Sequence, residues 1–165
     1  GKQMGAKVIA AASSDEKLAL CKKLGADELI NYSEVNLKDA IKELTGGKGV
    51  DVVYDPVGGD YAEPALRGMA WNGRYLVIGF ASGPIPKIAL NLALLKGCSI
   101  VGVFWGRFTG EEPEVNLKNI EELWELFASG KISPVVTDSF PVERYEEAFN
   151  CMIERRARGK VIITM

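Results

Sequence analysis

The residues best suited to chemistry in this 165-residue chain gather in one stretch, Gly49-Val50-Asp51-Val52-Val53-Tyr54-Asp55-Pro56-Val57-Gly58-Gly59. Val50, Val52, Val53 and Tyr54 predict a strand covered on both faces, as a parallel sheet requires. Pro56 stops the ladder, and Gly58-Gly59 permit the positive φ or close ligand approach that a side chain would block. Open α/β sheets bind ligands beyond the carboxyl ends of their strands, which makes this corner the first candidate site for a small molecule. The same residues also satisfy an ordinary strand-to-helix turn. Gly46-Gly47-Lys48-Gly49 has the composition of a phosphate loop but no helix start behind it, so it reads as a plain turn.

The chain has no histidine. That removes Ser-His and Cys-His catalysis, histidine-liganded metal sites and the commonest general base at neutral pH. Cys21, Cys98 and Cys151 lie far apart with no CxxC pair, so neither a zinc motif nor a disulfide framework is expected; small buried thiols of a reduced, cytoplasmic protein fit better. The formal charge of -2 and a pI near 5.4 give no general footprint for nucleic acid or an anionic membrane. No apolar run approaches membrane-spanning length, and the N-terminus does not read as a signal peptide. With 47% hydrophobic and 25% charged residues the composition is globular. The length predicts one domain burying roughly 70% of the surface exposed by the unfolded chain.

The elements that must position these residues follow from spacing and punctuation. Residues 1–6 read as a last helical turn capped at Gly5. A strand over 7–12 is followed by Ser13-Ser14 and a helix over 15–24, with an acidic first turn and a basic last one closing at Gly25. A short element over 28–32 precedes a helix that Asn36 can cap, with Leu37, Ala40, Ile41 and Leu44 on one face. After Gly59, the spacing of Ala62, Ala65, Leu66 and Met69 predicts a helix ended by Trp71-Asn72-Gly73, then a strand over 74–80. Breakers fill 81–86. A short apolar helix over 88–95 closes at Gly97, and a strand over 99–105 forms a sheet edge. Leu117, Ile120, Leu123, Trp124 and Phe127 mark an amphipathic helix ending at Gly130. Beyond Lys131 the expectation is an extended 134–137, a connector over 138–142, a helix faced by Tyr145, Ala148, Phe149, Met152 and Ile153, and a final strand over 160–165. Repeated β-then-α units argue for a doubly wound, parallel, helix-covered sheet.

The runs Ser13-Ser14-Asp15-Glu16-Lys17, Leu24-Gly25-Ala26-Asp27, Ile30-Asn31-Tyr32, Gly49 through Gly58, Gly73-Arg74-Tyr75-Leu76-Val77-Ile78-Gly79-Phe80 and Arg158-Gly159-Lys160-Val161 resemble zinc-independent medium-chain dehydrogenases of the NADPH:quinone oxidoreductase type. The likeness runs through nearly the whole chain in order. It implies a Rossmann-like α/β fold, with 1–165 as a single partial dinucleotide-binding domain and 131–165 as its C-terminal return. In that family the segment follows a GroES-like substrate domain, a first Rossmann strand and a glycine-rich turn, none of which has a counterpart in these residues. The first strand is central in such a sheet, so the strands at Val8 and Val52 are expected to pair directly or to accept a strand from another copy.

The resemblance assigns roles residue by residue. Ser13, Ser14 and Lys17 correspond to the adenosine 2′-phosphate site of NADPH-preferring members, with Tyr32 reaching in from the next strand end. Two hydroxyls, an ammonium group and no acidic residue at the strand end suit a phosphate rather than a free ribose hydroxyl. Val57, Gly58 and Gly59 correspond to the loop beside the cofactor ribose. Ile78, Gly79, Phe80 and Ala81 correspond to the strand end facing the nicotinamide, where small or apolar groups exclude water. Phe104 and Trp105 end the next strand near that cleft. The implied function is NADP(H)-dependent hydride transfer to a quinone or enone, with no metal, no nucleic acid, no membrane, no nameable acid or base, and a homodimer formed along the 99–104 edge or by strand exchange. The alternative is a stand-alone nucleotide-binding or dimerising protein of the same fold without turnover.

Overall fold

The computed structural model describes residues 1–165. The chain alternates strands and helices, and every strand pair is parallel. β1 (Ile9–Ala12) leads through Ser13-Ser14 into α1 (Asp15–Lys23); Ser14 caps that helix by accepting from the Lys17 amide at 3.4 Å. β2 (Glu28–Asn31) pairs only with β1. Asn36 caps α2 (Leu37–Leu44) by accepting from Asp39 N at 3.2 Å. β3 (Val50–Asp55), α3 (Ala62–Arg67) and β4 (Met69–Val77) follow, then α4 (Asn91–Lys96) and β5 (Ser99–Gly102), and these strands form a sheet in the order β3-β4-β5. α5 (Trp105–Glu111) and α6 (Pro113–Ala128) lead to β6 (Val136–Pro141), α7 (Tyr145–Ile153) and β7 (Lys160–Thr164), where β6 and β7 form a third sheet.

β1 and β3 do not pair, which corrects the expectation that these strands would meet directly. The two sheets are joined by side chains instead. Ile30 from β2, Leu37 and Ile41 from α2, Leu66 from α3, and Met69 and Tyr75 from β4 form one buried cluster. Within that cluster α2 packs against α3. The β3 strand is also less covered than its valines suggest: Val52 and Tyr54 are exposed.

The strand over 74–80 proves to begin at Met69 and end at Val77. Trp71-Asn72-Gly73 does have turn chemistry, with Asn72 at φ +59°, but the turn is an irregularity inside the strand. The register against β3 shifts between Val50 and Val52. β5 stops at Gly102, and Trp105 opens a helix instead of ending a strand. Residues 138–141, expected as a connector, belong to β6.

The buried fraction is lower than the length predicts. A surface of 11455 Å² exceeds the value of about 8,000 Å² expected for a compact monomer of this mass. The excess includes β5, exposed along its length, and α6, which buries none of its residues.

At the start of the chain, Asp27 ties the 1–5 turn to both strands of the first sheet. Its carboxylate accepts from Lys2 Nζ at 2.8 and 2.9 Å and from Val8 N at 2.7 Å. Chiefly the Lys2 hydrogen bond, then the Val8 N–H, hold this carboxyl below the usual carboxylate range. Because the folded-state value is depressed, the contribution is present above the unfolded value and is lost as pH falls through the folded one. Asp27→Asn is therefore expected to lower the urea midpoint near neutral pH and to approach the wild type once the pH has fallen through the lowered folded-state value. An unchanging gap across that range would contradict the assignment.

Candidate functional site

Past the carboxyl end of β1 the chain forms a pocket of about 460 Å³. One wall is Ser13, Ser14, Glu16 and Lys17, at the start of α1. The other is built from residues far away in sequence: Asp138 on β6, Cys151 on α7, and Arg155, Arg156 and Arg158 in the turn before β7. Four cations face two carboxylates here, in a chain whose overall charge is negative. Asp15, next to the pocket, turns toward β2 and accepts from Asn31 Nδ2 at 2.9 Å. Thr137 Oγ1 donates to Asp138 at 2.8 Å and partly satisfies that second carboxylate.

The arginine wall has a distinctive backbone. α1 and α7 end in the same hydrogen-bond pattern. At α1, Gly25 N donates to Lys22 O and Ala26 N to Cys21 O; at α7, Arg155 N donates to Met152 O and Arg156 N to Cys151 O. This motif needs a left-handed residue after the cap, normally glycine. Gly25 meets the need at φ +98°, whereas Arg155 adopts φ +57°. A left-handed non-glycine residue costs on the order of 1–2 kcal/mol. The turn carries arginine where glycine would be easier. Gly159 then fixes the turn to β6: its amide donates to Thr137 Oγ1 at 3.2 Å, and Lys160 N donates to Val135 O at 2.7 Å.

A second cluster lies beyond β3 and β4. One carboxylate oxygen of Asp55 accepts from Val57 N at 2.8 Å and Gly58 N at 2.9 Å, and the other accepts from Tyr75 OH. Burial, then this partnership with Asp55, pushes the Tyr75 hydroxyl well above its ordinary pKa, so it stays protonated and donating. The loops are also stitched together through the backbone: Ile78 N donates to Asp55 O at 3.0 Å, Ala81 N to Pro56 O at 3.0 Å and Ser82 N to Val57 O at 3.0 Å. Gly58, at φ +66°, lies so close to Phe80 that a Cβ would stand 2.8 Å from its ring. Residues 57–59 and 78–81 thus form one continuous rim. Behind Phe80 is an apolar hollow of about 200 Å³ with Leu66, Ile85 and Ile88 in its walls.

The structure brings Ser13, Ser14 and Lys17 together in the first pocket, and Val57, Gly58, Gly59, Ile78, Gly79, Phe80 and Ala81 along the second rim. Tyr32 does not line the pocket; its ring lies against Tyr61 with centroids 4.3 Å apart. Phe104 and Trp105 are exposed, with Trp105 at the start of α5, and line neither cluster. Sequence reasoning missed Arg155, Arg156, Arg158, Asp55 and Tyr75. The signal available for the arginines was a basic run after a helix lacking a glycine stop.

Parallel β-α units with loop clusters past the strand ends are the architecture of a Rossmann-like dinucleotide-binding domain. A family model described as zinc-binding dehydrogenase matches residues 1–125, and the chain belongs to that family. It is 42% identical to quinone oxidoreductase-like protein 2 of Rattus norvegicus over 160 residues, covering 97% of this chain and 46% of the relative. Quinone oxidoreductase 1 of Escherichia coli K12 is 32% identical, with 98% and 50% covered. Among solved structures, E. coli quinone oxidoreductase complexed with NADPH superposes with a TM-score of 0.87 at 31% identity, covering 99% of this chain and 51% of that one. Mycobacterial Rv1454c complexed with NADPH gives 0.88 at 29%, with 98% and 50% covered. The fold is the cofactor-binding part of a medium-chain dehydrogenase of quinone oxidoreductase type. The chain spans about half the length of these relatives.

Proposed function

We propose that this chain is the NADP(H)-binding domain of an oxidoreductase that reduces a quinone or enone, with residues 131–165 as its C-terminal return. The observation carrying this reading is the convergence of Lys17 and three arginines with Ser13 and Ser14 on one pocket past β1. Lysine and arginine with hydroxyl donors fit a phosphate monoester, and a free ribose 2′-OH would leave the pocket's excess of positive charge uncompensated. The NADPH complexes of the two structural neighbours support the same cofactor. When bound, a reduced nicotinamide supplies a hydride.

The residues of this chain then have binding and positioning work. Ser13, Lys17 and the arginine turn would hold the 2′-phosphate. The 57–59 and 78–81 rim, fixed by Asp55 and Tyr75, would receive the ribose and nicotinamide, with Phe80 excluding water. No three residues of the chain form a cluster able to hold a metal ion, and the proposed transfer uses none from this chain. No helix is long and apolar enough to cross a membrane; three free cysteines suit a cytoplasmic setting. The exposed outer edge of β5 favours a homodimer formed by pairing that strand with its copy. Those same bare surfaces, on β5 and α6, support a second reading, a nucleotide-binding and dimerising domain without turnover.

Calorimetric titration with NADPH and NADH tests the cofactor. NADPH is expected to bind tighter, and Lys17→Ala to weaken it about tenfold while changing NADH less than about twofold. Equal loss for both nucleotides, or no binding of either, would contradict the reading. NADPH oxidation on adding a benzoquinone separates the two functions, since a background rate would leave only the binding domain.

A further inference from the structure

We infer that Glu16 is a built-in competitor of the phosphate, a specificity-determining residue that holds Arg158 until a 2′-phosphorylated ribose displaces it. The inference rests on the pocket proposed above for that phosphate. Arg158 Nη1 donates to Glu16 Oε1 at 2.5 Å, joining the first turn of α1 to the turn before β7 across 142 positions of sequence. Both side chains line the pocket. Gln3 Nε2 to Lys131 O, at 2.9 Å, is the one other side-chain hydrogen bond between the return segment and the rest of the chain. The ion pair therefore both closes the pocket walls together and occupies one of its cations.

The neighbouring charges have other duties, which singles Glu16 out. Asp15 accepts from Asn31, Asp138 accepts from Thr137, and Arg156 donates to Glu154 at 2.6 Å. Only the Glu16 carboxylate couples the two walls. A dianion entering between Lys17 and the arginines meets that carboxylate as a like charge, and Arg158 can serve one of the two partners fully. Exchange of the carboxylate for the phosphate balances charge on Arg158 and leaves Glu16 free to turn to solvent, where its side chain is already largely exposed. A nucleotide without the 2′-phosphate offers no replacement and leaves the pair closed.

The test uses 2′,5′-ADP and 5′-AMP, which differ at the relevant phosphate, with the full chain as wild type, Glu16→Gln, Arg158→Ala and the double variant. Glu16→Gln is expected to tighten 2′,5′-ADP by about 1.5-fold to fivefold, the span of an exposed ion pair, and to leave 5′-AMP unchanged. In the double variant the gain disappears. Hydrogen exchange of the 155–160 amides without nucleotide is expected to speed up in Glu16→Gln. If wild type prefers 2′,5′-ADP but Glu16→Gln binds it no better, the competitor role is overturned while the phosphate pocket stands. A gain that persists without Arg158 also overturns it, since a general field effect would then suffice. If wild type does not distinguish the two nucleotides, the phosphate pocket fails and the competitor role fails with it.

Discussion

Arg155→Gly is expected to weaken NADPH binding by about tenfold or more, the range of a lost charge-assisted contact, while leaving the chain as stable or slightly more so. The two effects have opposite signs because they arise from different parts of the residue. The backbone of Arg155 adopts the left-handed conformation that ends α7, at φ +57°, and glycine reaches it without strain; relief of up to about 1 kcal/mol is expected. Its side chain is one of the three guanidinium groups of the pocket wall. A loss of affinity without a loss of stability identifies a residue kept for its ligand at a cost to the fold. Urea unfolding together with NADPH titration makes the comparison. A variant that unfolds more easily and binds normally would show that the arginine is there for the turn.

Gly49→Ala is expected to cost at least about 3 kcal/mol, combining left-handed strain with overpacking. Gly49 sits at φ +86°, and an added Cβ would lie 2.6 Å from Gly68 O, 2.6 Å from Met69 C and 2.7 Å from Ala70 N. All three are backbone atoms, so no side chain can step aside. The substitution would push β3 away from the start of β4 and break the Val50 N to Gly68 O hydrogen bond. Gly68 is itself closely packed: a Cβ there would stand 2.8 Å from Ile41 Cδ1 and 3.2 Å from Ala65 O. The same residues belong to the layer that holds the two sheets together. A loss below about 1 kcal/mol in denaturant melts would mean the β3-β4 entry is looser than described.

Local chemistry was legible in the sequence, and long-range chemistry was not. Ser14 and Asn36 cap the helices assigned to them, and the turns at Gly5 and Gly25 close as their glycines predict. These features depend on hydrogen bonds within five residues. The errors involve distant partners. Trp71-Asn72-Gly73 reads as a stop because Asn favours the left-handed conformation, yet the strand continues beyond it, paired with β3 and β5 from Arg74 on. Residues 138–141 read as a connector because Asp138 and Ser139 are polar and Pro141 cannot donate; their partner, β7, lies more than 20 residues on.

The site divides in the same way. The 57–59 corner could be seen from its own residues, since valine, proline and glycine each restrict the backbone in a known manner. The resemblance to quinone oxidoreductases brought in Ser13, Ser14 and Lys17. The arginine wall reads only as a basic run after a helix, because nothing near Lys17 in sequence indicates that residue 155 folds back beside it. Asp55 stands in that same run of residues, and it is the structure that shows its carboxylate organising the loop that follows.

A crystal structure of the chain with NADPH bound tests most directly where the 2′-phosphate sits. The 2′-phosphate is predicted between Lys17 Nζ and the guanidinium groups of the 155–158 turn, with the Ser13-Ser14 corner beside it. An adenosine ribose lying elsewhere on the sheet, with that basic pocket holding only water, would contradict the account.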